Sequence, residues 1–198
     1  MKRTKEEAEQ TRLRLIDLAL KEFLDKGMEE STLEGIAERA GVTRGAIYWH
    51  FKNKNDLFDA LLEVKDLESI EIYKKIYKSD LSPIRKLNEM VKVGLPDISN
   101  ARMLRNYTRL KVEMFNYFNK NGDKRGLGDV FLKYAKLTLK DGQKKGLIKN
   151  DIDVDIAAYT LFSLITGVFV RHKPTPSKFK TMNAFRNIIY NYIKLIQN

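Results

Sequence analysis

The sequence predicts an all-α fold of about nine helices, on three observations. Glycine and proline make up only 15 of 198 residues, so breakers of regular structure are scarce. Apolar residues recur at spacings of three and four along most of the chain, and no segment alternates convincingly as a strand. The first helix carries Leu13, Ile16, Leu20 and Phe23 on one face, with Ala19 and Leu24 alongside, and ends at Gly27. Ser31 or Thr32 caps a short second helix with Glu34 in its first turn and Leu33, Ile36, Ala37 and Ala40 on its buried side; it stops at Gly41. Thr43 caps a third, Arg44 to Phe51, and Asn55 or Asp56 opens a long fourth through Leu57, Leu61, Val64, Leu67 and Ile70 to about Tyr77.

Ser82-Pro83 reads as a cap followed by a first-turn proline, opening a helix with Ile84, Leu87, Val91 and Leu95 that Pro96 ends. Asn100 starts the next, striped by Met103, Tyr107, Leu110, Met114 and Phe118, before the glycine-rich loop Asn121 to Gly128. Val130 to Lys145 ends at Gly146, Asp153 or Asp155 caps a strongly apolar helix to about Val170, and Pro174 and Pro176 precede a last helix near Lys178 to Ile196. That last helix groups Phe185, Ile188, Ile189, Tyr192, Ile193 and Ile196 on one broad face.

The chain has no cysteine and only two histidines, His50 and His172, and it contains no HExxH, P-loop or GxSxG pattern. Nucleophilic and metal catalysis therefore lack their parts, so no enzyme, cofactor or metal is expected. No stretch is apolar enough for a membrane span or signal peptide, which gives a cytoplasmic expectation. Net charge is +11, but its placement matters more than its sum. Residues 1–60 hold 11 Lys/Arg against 12 Asp/Glu, and residues 61–198 hold 26 against 14. The C-terminal excess reads as a lysine-rich solvated surface. Within residues 1–60, Arg39, Arg44, Lys52 and Lys54 stand in an acid-free run from Arg39 to Asn55, and Lys2, Arg3 and Lys5 add a basic arm.

The chemistry concentrates in Thr32 to Phe51, where two short helices flank a glycine turn. In a helix-turn-helix, Ala37 allows close packing, Gly41 makes the turn, and Val42 and Ile47 anchor the pair to the first helix. The outer face is then free for DNA. Thr43, Arg44 and Gly45 fall where side chains reach base edges, with Arg44 the best base reader. Tyr48 and His50 suit phosphate oxygens, and Lys52 and Lys54 add charge. Tyr48 and Trp49 also fit as core aromatics and His50 as a packing histidine.

The run TRGAIYWHFKNKNDLF, with its Tyr-x-His-Phe ending, Lys54 and the Asp56-Leu57 helix start, resembles the TetR family of transcriptional regulators over residues 10–63 and looks most like its AcrR/TtgR-like multidrug-efflux repressor branch. The resemblance implies DNA contact from Thr32, Thr43, Arg44, Gly45, Tyr48, His50 and Lys54, with Trp49 partly packing and partly facing the DNA backbone. It implies a three-helix DNA-binding domain over residues 1–55 and a helical ligand-binding and dimerisation domain over 56–198.

In the second domain, Tyr107, Leu110, Met114, Tyr117, Phe118, Phe131 and Tyr134 could line a cavity for an apolar or aromatic effector, with Glu113 suited to a cationic one. Each fits equally as core. The last two helices are too apolar for isolated surface helices, and a homodimer would bury them through Leu161, Ile165, Phe169, Phe185, Ile189, Tyr192 and Ile196. The expected function is a repressor that binds a pseudo-palindromic double-stranded operator as a dimer and leaves it when a small molecule binds. The alternative is a DNA-binding regulator without an inducer, controlled by protein partners or abundance.

Overall fold

The computed structural model describes residues 4–98, 100–121, 128–170 and 182–198. Among them stand nine α-helices: α1 (Lys5–Lys26), α2 (Leu33–Ala40), α3 (Arg44–His50), α4 (Lys54–Lys78), α5 (Pro83–Gly94), α6 (Ala101–Asn121), α7 (Asp129–Lys144), α8 (Val154–Val170) and α9 (Met182–Leu195). The architecture is all-α, as the sequence predicts. No described helix is long and apolar enough to cross a membrane. Several sequence expectations lie outside the described residues: Lys2, Arg3, most of the loop from Asn121 to Gly128, Pro174, Pro176, the start of the last helix at Lys178, and the side chains of Phe118 and Phe169.

Two compact units divide the chain, residues 1–68 and 69–198. In the first, Ile16, Ala19 and Phe23 of α1, Leu33, Ile36 and Ala37 of α2, and Ile47 of α3 are buried. Leu57, Phe58 and Leu61 of α4 are buried too, and Phe58 meets Phe23 edge-to-face at 5.5 Å between ring centroids. The start of α4 thus belongs to this core. Helix α1 begins two turns before its apolar stripe. There the Thr4 hydroxyl accepts the Glu7 N–H at 3.2 Å and the Glu7 carboxylate accepts the Thr4 N–H at 2.8 Å, a capping box that satisfies two orphan groups. Leu13, counted in the stripe, is exposed. Helix α4 is capped by Asn53, whose Oδ1 accepts the Asp56 N–H at 2.9 Å, rather than by Asn55 or Asp56.

The second core gathers Leu87, Met90 and Val91 of α5, Phe131, Tyr134 and Leu139 of α7, Ala158, Leu161 and Ile165 of α8, and Ile189 and Ile193 of α9, with Ile196 just beyond it. Ser82 caps α5 with Pro83 in its first turn, and Asn100 Oδ1 accepts from the N–H groups of Arg102 and Met103. Asp153 caps α8 by accepting the Ile156 N–H at 2.9 Å, which frees Asp155 for an ion pair with Lys136 at 2.6 Å. Gly128 enters α7 at φ 100°, and the Phe162 ring fills the space a side chain there would need.

The dimer expectation requires a correction on four positions. Leu161, Ile165, Ile189 and Ile196 are closed inside the core of their own unit, and Phe185 and Tyr192 are half-buried against it. Helix α8 is mostly apolar, interrupted by Asp155, Thr160, Ser163 and Thr166, so spacing marks its inward face only weakly. Among the described side chains of α8 and α9, the large apolar ones left exposed are Ile156, Tyr159, Ile188 and Leu195.

Candidate nucleic-acid interface

The helix-turn-helix is built by local hydrogen bonds that the sequence dictates. Thr32 Oγ1 accepts the Gly35 N–H at 3.1 Å and Thr43 Oγ1 accepts the Ala46 N–H at 3.2 Å, so each threonine starts its helix. A hydroxyl that accepts such a bond still carries a proton to donate. Gly41 ends α2 in the left-handed region at φ 65°, where a side chain is strained, and the Val42 N–H returns to the Ala37 carbonyl at 3.0 Å. Ile47 is fully buried and holds α3 by its inner face.

The opposite face of α3 is open. Arg44 has 75% of its side chain accessible, Trp49 stands 73% exposed, and Tyr48 is exposed beside them. Both aromatics are therefore surface residues rather than core. A Cβ added at Gly45 meets nothing within 4 Å, so no protein packing demands glycine there. Close approach of a partner backbone would. Gly45→Ala should raise thermal stability slightly, because alanine is the better helix former by about 0.5 to 1 kcal/mol. The same variant should bind DNA more weakly. Calorimetry beside a DNA titration checks this, and undiminished affinity would remove Gly45 from the interface.

Arg44 already has partners within the protein. Its Nε lies 3.3 Å from Glu34 Oε1 and its guanidinium sits 5.5 Å from the centre of the Tyr48 ring. The Tyr48 hydroxyl donates to the same Glu34 oxygen at 2.8 Å. Backbone hydrogen bonding and then the Tyr48 hydroxyl hold the Glu34 carboxyl below the ordinary carboxylate range; burial opposes them, and the Arg44 charge adds the smallest lowering. Glu34 was legible in the sequence only as a first-turn acid.

Two other cations of the acid-free run are engaged internally. Arg39 joins the buried Glu22 carboxylate and Asp25, the latter at 3.4 Å, so its charge serves the α1–α2 packing. The acids that hold it lie on α1, outside the run. Lys54 donates to the carbonyls of Glu29 and Ser31 at 2.9 Å each, pinning the turn before α2. Lys52 is exposed, with its backbone N–H given to Asp56 at 2.8 Å, and His50 is half-buried with Trp49 edge-to-face at 4.6 Å.

Seven of the eight effector-site candidates have described side chains. Phe131 meets Tyr73 edge-to-face at 5.9 Å, Tyr134 lies 5.9 Å from Tyr77, and both are buried with Leu110. Tyr107 is half-buried with its hydroxyl within 3.5 Å of the Gly94 carbonyl, and burial pushes that hydroxyl's pKa well up. Glu113, Met114 and Tyr117 are half-buried on α6, with Glu113 3.9 Å from Arg109 Nε. A groove of about 500 Å³ elsewhere is lined by Asn88, Asn187, Tyr190, Asn191 and Lys194, and by none of the eight candidates.

Residues 15–61 match the family model described as "Bacterial regulatory proteins, tetR family". The HTH-type transcriptional regulator TtgR of Pseudomonas putida is 32% identical over 86% of this chain and 84% of its own length. The "Probable acrEF/envCD operon repressor" of Escherichia coli is 32% identical over 84% of this chain and 78% of its own. Among solved structures, the SmeT–triclosan complex superposes with a TM-score of 0.67 at 22% identity, covering 94% of this chain and 90% of that one. The two sequence relatives are transcriptional regulators, not enzymes, and with the helix-turn-helix geometry of α2 and α3 they establish that the chain belongs to the tetR family of bacterial regulatory proteins, in its AcrR/TtgR-like branch.

Proposed function

We propose that the protein is a repressor that binds a pseudo-palindromic operator as a dimer through the first unit and releases it when a small apolar or aromatic molecule binds the second. The observation that carries this reading is the division of α3 into a buried inner face at Ile47 and an outer face that exposes Arg44, Gly45, Tyr48 and Trp49. Exposed large aromatics beside an arginine suit a nucleic-acid surface, where arginine reads guanine edges and aromatic hydroxyls or ring nitrogens meet phosphates. Thr32, Thr43, His50 and Lys52 extend the same contact set, and Lys54 contributes by fixing the turn that carries Thr32. Two protomers give the twofold symmetry that an operator palindrome mirrors. Ile156, Tyr159, Ile188 and Leu195 supply the apolar surface for that association.

Selection of duplexes from a random pool, followed by titration of the winner and a scrambled control at two salt concentrations, tests the reading. A palindromic winner bound well above the control supports it; equal binding to both overturns it. Arg44→Ala should lower operator affinity by about 1 to 3 kcal/mol and relax the sequence read at one position. Unchanged affinity would take the base-reading role from Arg44. SmeT in complex with triclosan makes a small aromatic effector the natural first screen. The inducer-free alternative draws its support from Phe131 and Tyr134, whose rings are taken up by core packing. Release of the operator complex by a small aromatic molecule would decide against it.

A further inference from the structure

The outer face of α3 carries its own anionic competitor. Glu34, on α2, accepts the Tyr48 hydroxyl at 2.8 Å and faces Arg44 Nε at 3.3 Å with the same oxygen, while Arg44 stacks at 5.5 Å on the Tyr48 ring. Three exposed residues from two helices are thus closed into one polar triangle, at the place where DNA has to arrive. Stability is a poor reason for it, since ion pairs this exposed contribute little to folding and are screened by salt. The first-turn position of Glu34 suits the α2 dipole but does not require contact with Arg44 and Tyr48.

Resting on the repressor reading above, we infer that Glu34 is a specificity-determining residue, a latch that holds Arg44 and Tyr48 away from phosphates on non-operator DNA and yields only where a base edge replaces it. The physical logic is one of matched exchange. A phosphate offers Arg44 the same kind of anionic partner that Glu34 already supplies at 3.3 Å, so on random duplex the exchange gains little and the uncovered carboxylate faces the phosphates. A guanine edge offers two acceptors in a fixed geometry, a bidentate contact that the single Glu34 oxygen does not match. Paired to Glu34, Arg44 adds no net charge to the non-specific encounter. Glu34 therefore weakens binding to the wrong sequence more than binding to the right one, which is how discrimination is built from a repulsive element.

The test compares the full-length protein with Glu34→Gln, which keeps the shape and the acceptor for Tyr48 but removes the charge, on the selected operator and on a scrambled duplex. Affinity for scrambled DNA should rise about three- to tenfold in the variant, and its salt slope should steepen by up to about 0.9, the contribution of one freed phosphate contact. Operator affinity should change by a smaller factor, so the ratio falls. Tyr48→Phe, which removes the hydroxyl but leaves the charge pair, should change the ratio less. A ratio that survives Glu34→Gln, or affinities that fall equally on both duplexes, overturns the latch alone. Equal affinity of the unsubstituted protein for both duplexes overturns the repressor reading and the latch with it.

Discussion

Ile189→Glu should unfold the second unit. Ile189 is 1% exposed, inside the core formed by α5, α7, α8 and α9. A carboxylate there loses the burial of the isoleucine and faces a desolvation penalty of several kcal/mol with no partner arranged for it. The total, at least about 4 kcal/mol, is a large fraction of the 5 to 15 kcal/mol by which domains are typically stable. Ile188→Glu, one residue earlier on an exposed position, should leave the fold within about 0.5 kcal/mol of the original while weakening self-association. Circular dichroism and light scattering on the two variants separate the effects. A folded Ile189→Glu protein would contradict the core assignment, and an intact Ile188→Glu dimer would move the interface elsewhere.

Gly128→Ala should be the most damaging single-methyl change at the start of α7. At φ 100° an L side chain is strained, and the added Cβ would lie 2.0 Å from Phe162 Cε2, well inside contact distance. Left-handed strain of about 1 to 2 kcal/mol and overpacking of about 1 to 3 combine to about 2 to 5 kcal/mol. For a chain of this size the melting temperature should fall by about 4 to 20 °C. Gly146→Ala is the matched control, since φ is 66° there and nothing lies within 4 Å of the added methyl. It should show the strain without the clash. Equal losses at the two positions would mean that Phe162 moves aside freely.

The ends of helices were legible because their chemistry is local. Thr43, Ser82 and Asn100 cap the helices that follow them, and Gly27 and Gly41 end the ones before, because a hydroxyl, an amide oxygen or a missing Cβ acts within four residues of itself. The first two turns of α1 were missed for the same reason in reverse. KEEAEQT has no apolar face, so the capping box of Thr4 and Glu7 rather than periodicity sets where that helix begins.

Contacts across sequence distance were not legible. Glu22 and Arg39 are 17 residues apart and Glu34 and Tyr48 are 14 apart, and nothing in their local patterns announces either pair. The outer face of α3 could be read because Ile47 fixes which side is inner. Helix α8, with few polar residues, gives a weaker anchor, and only the structure shows that Leu161 and Ile165 complete the core of their own unit.

Trp49 gives the molecule a built-in optical reporter. It is the chain's single tryptophan and it stands 73% exposed on the outer face of α3, beside Gly45 and Tyr48 rather than in either core. Indole emission excited at the red edge, where the nine tyrosines absorb little, therefore comes from one surface of the first unit. Docking of a duplex there, as the repressor reading requires, should strip water from the ring and change both its emission colour and its access to a soluble quencher. Unfolding confined to the second unit should leave the same signal unchanged, so label-free spectroscopy distinguishes occupancy of the outer face of α3 from loss of the second unit.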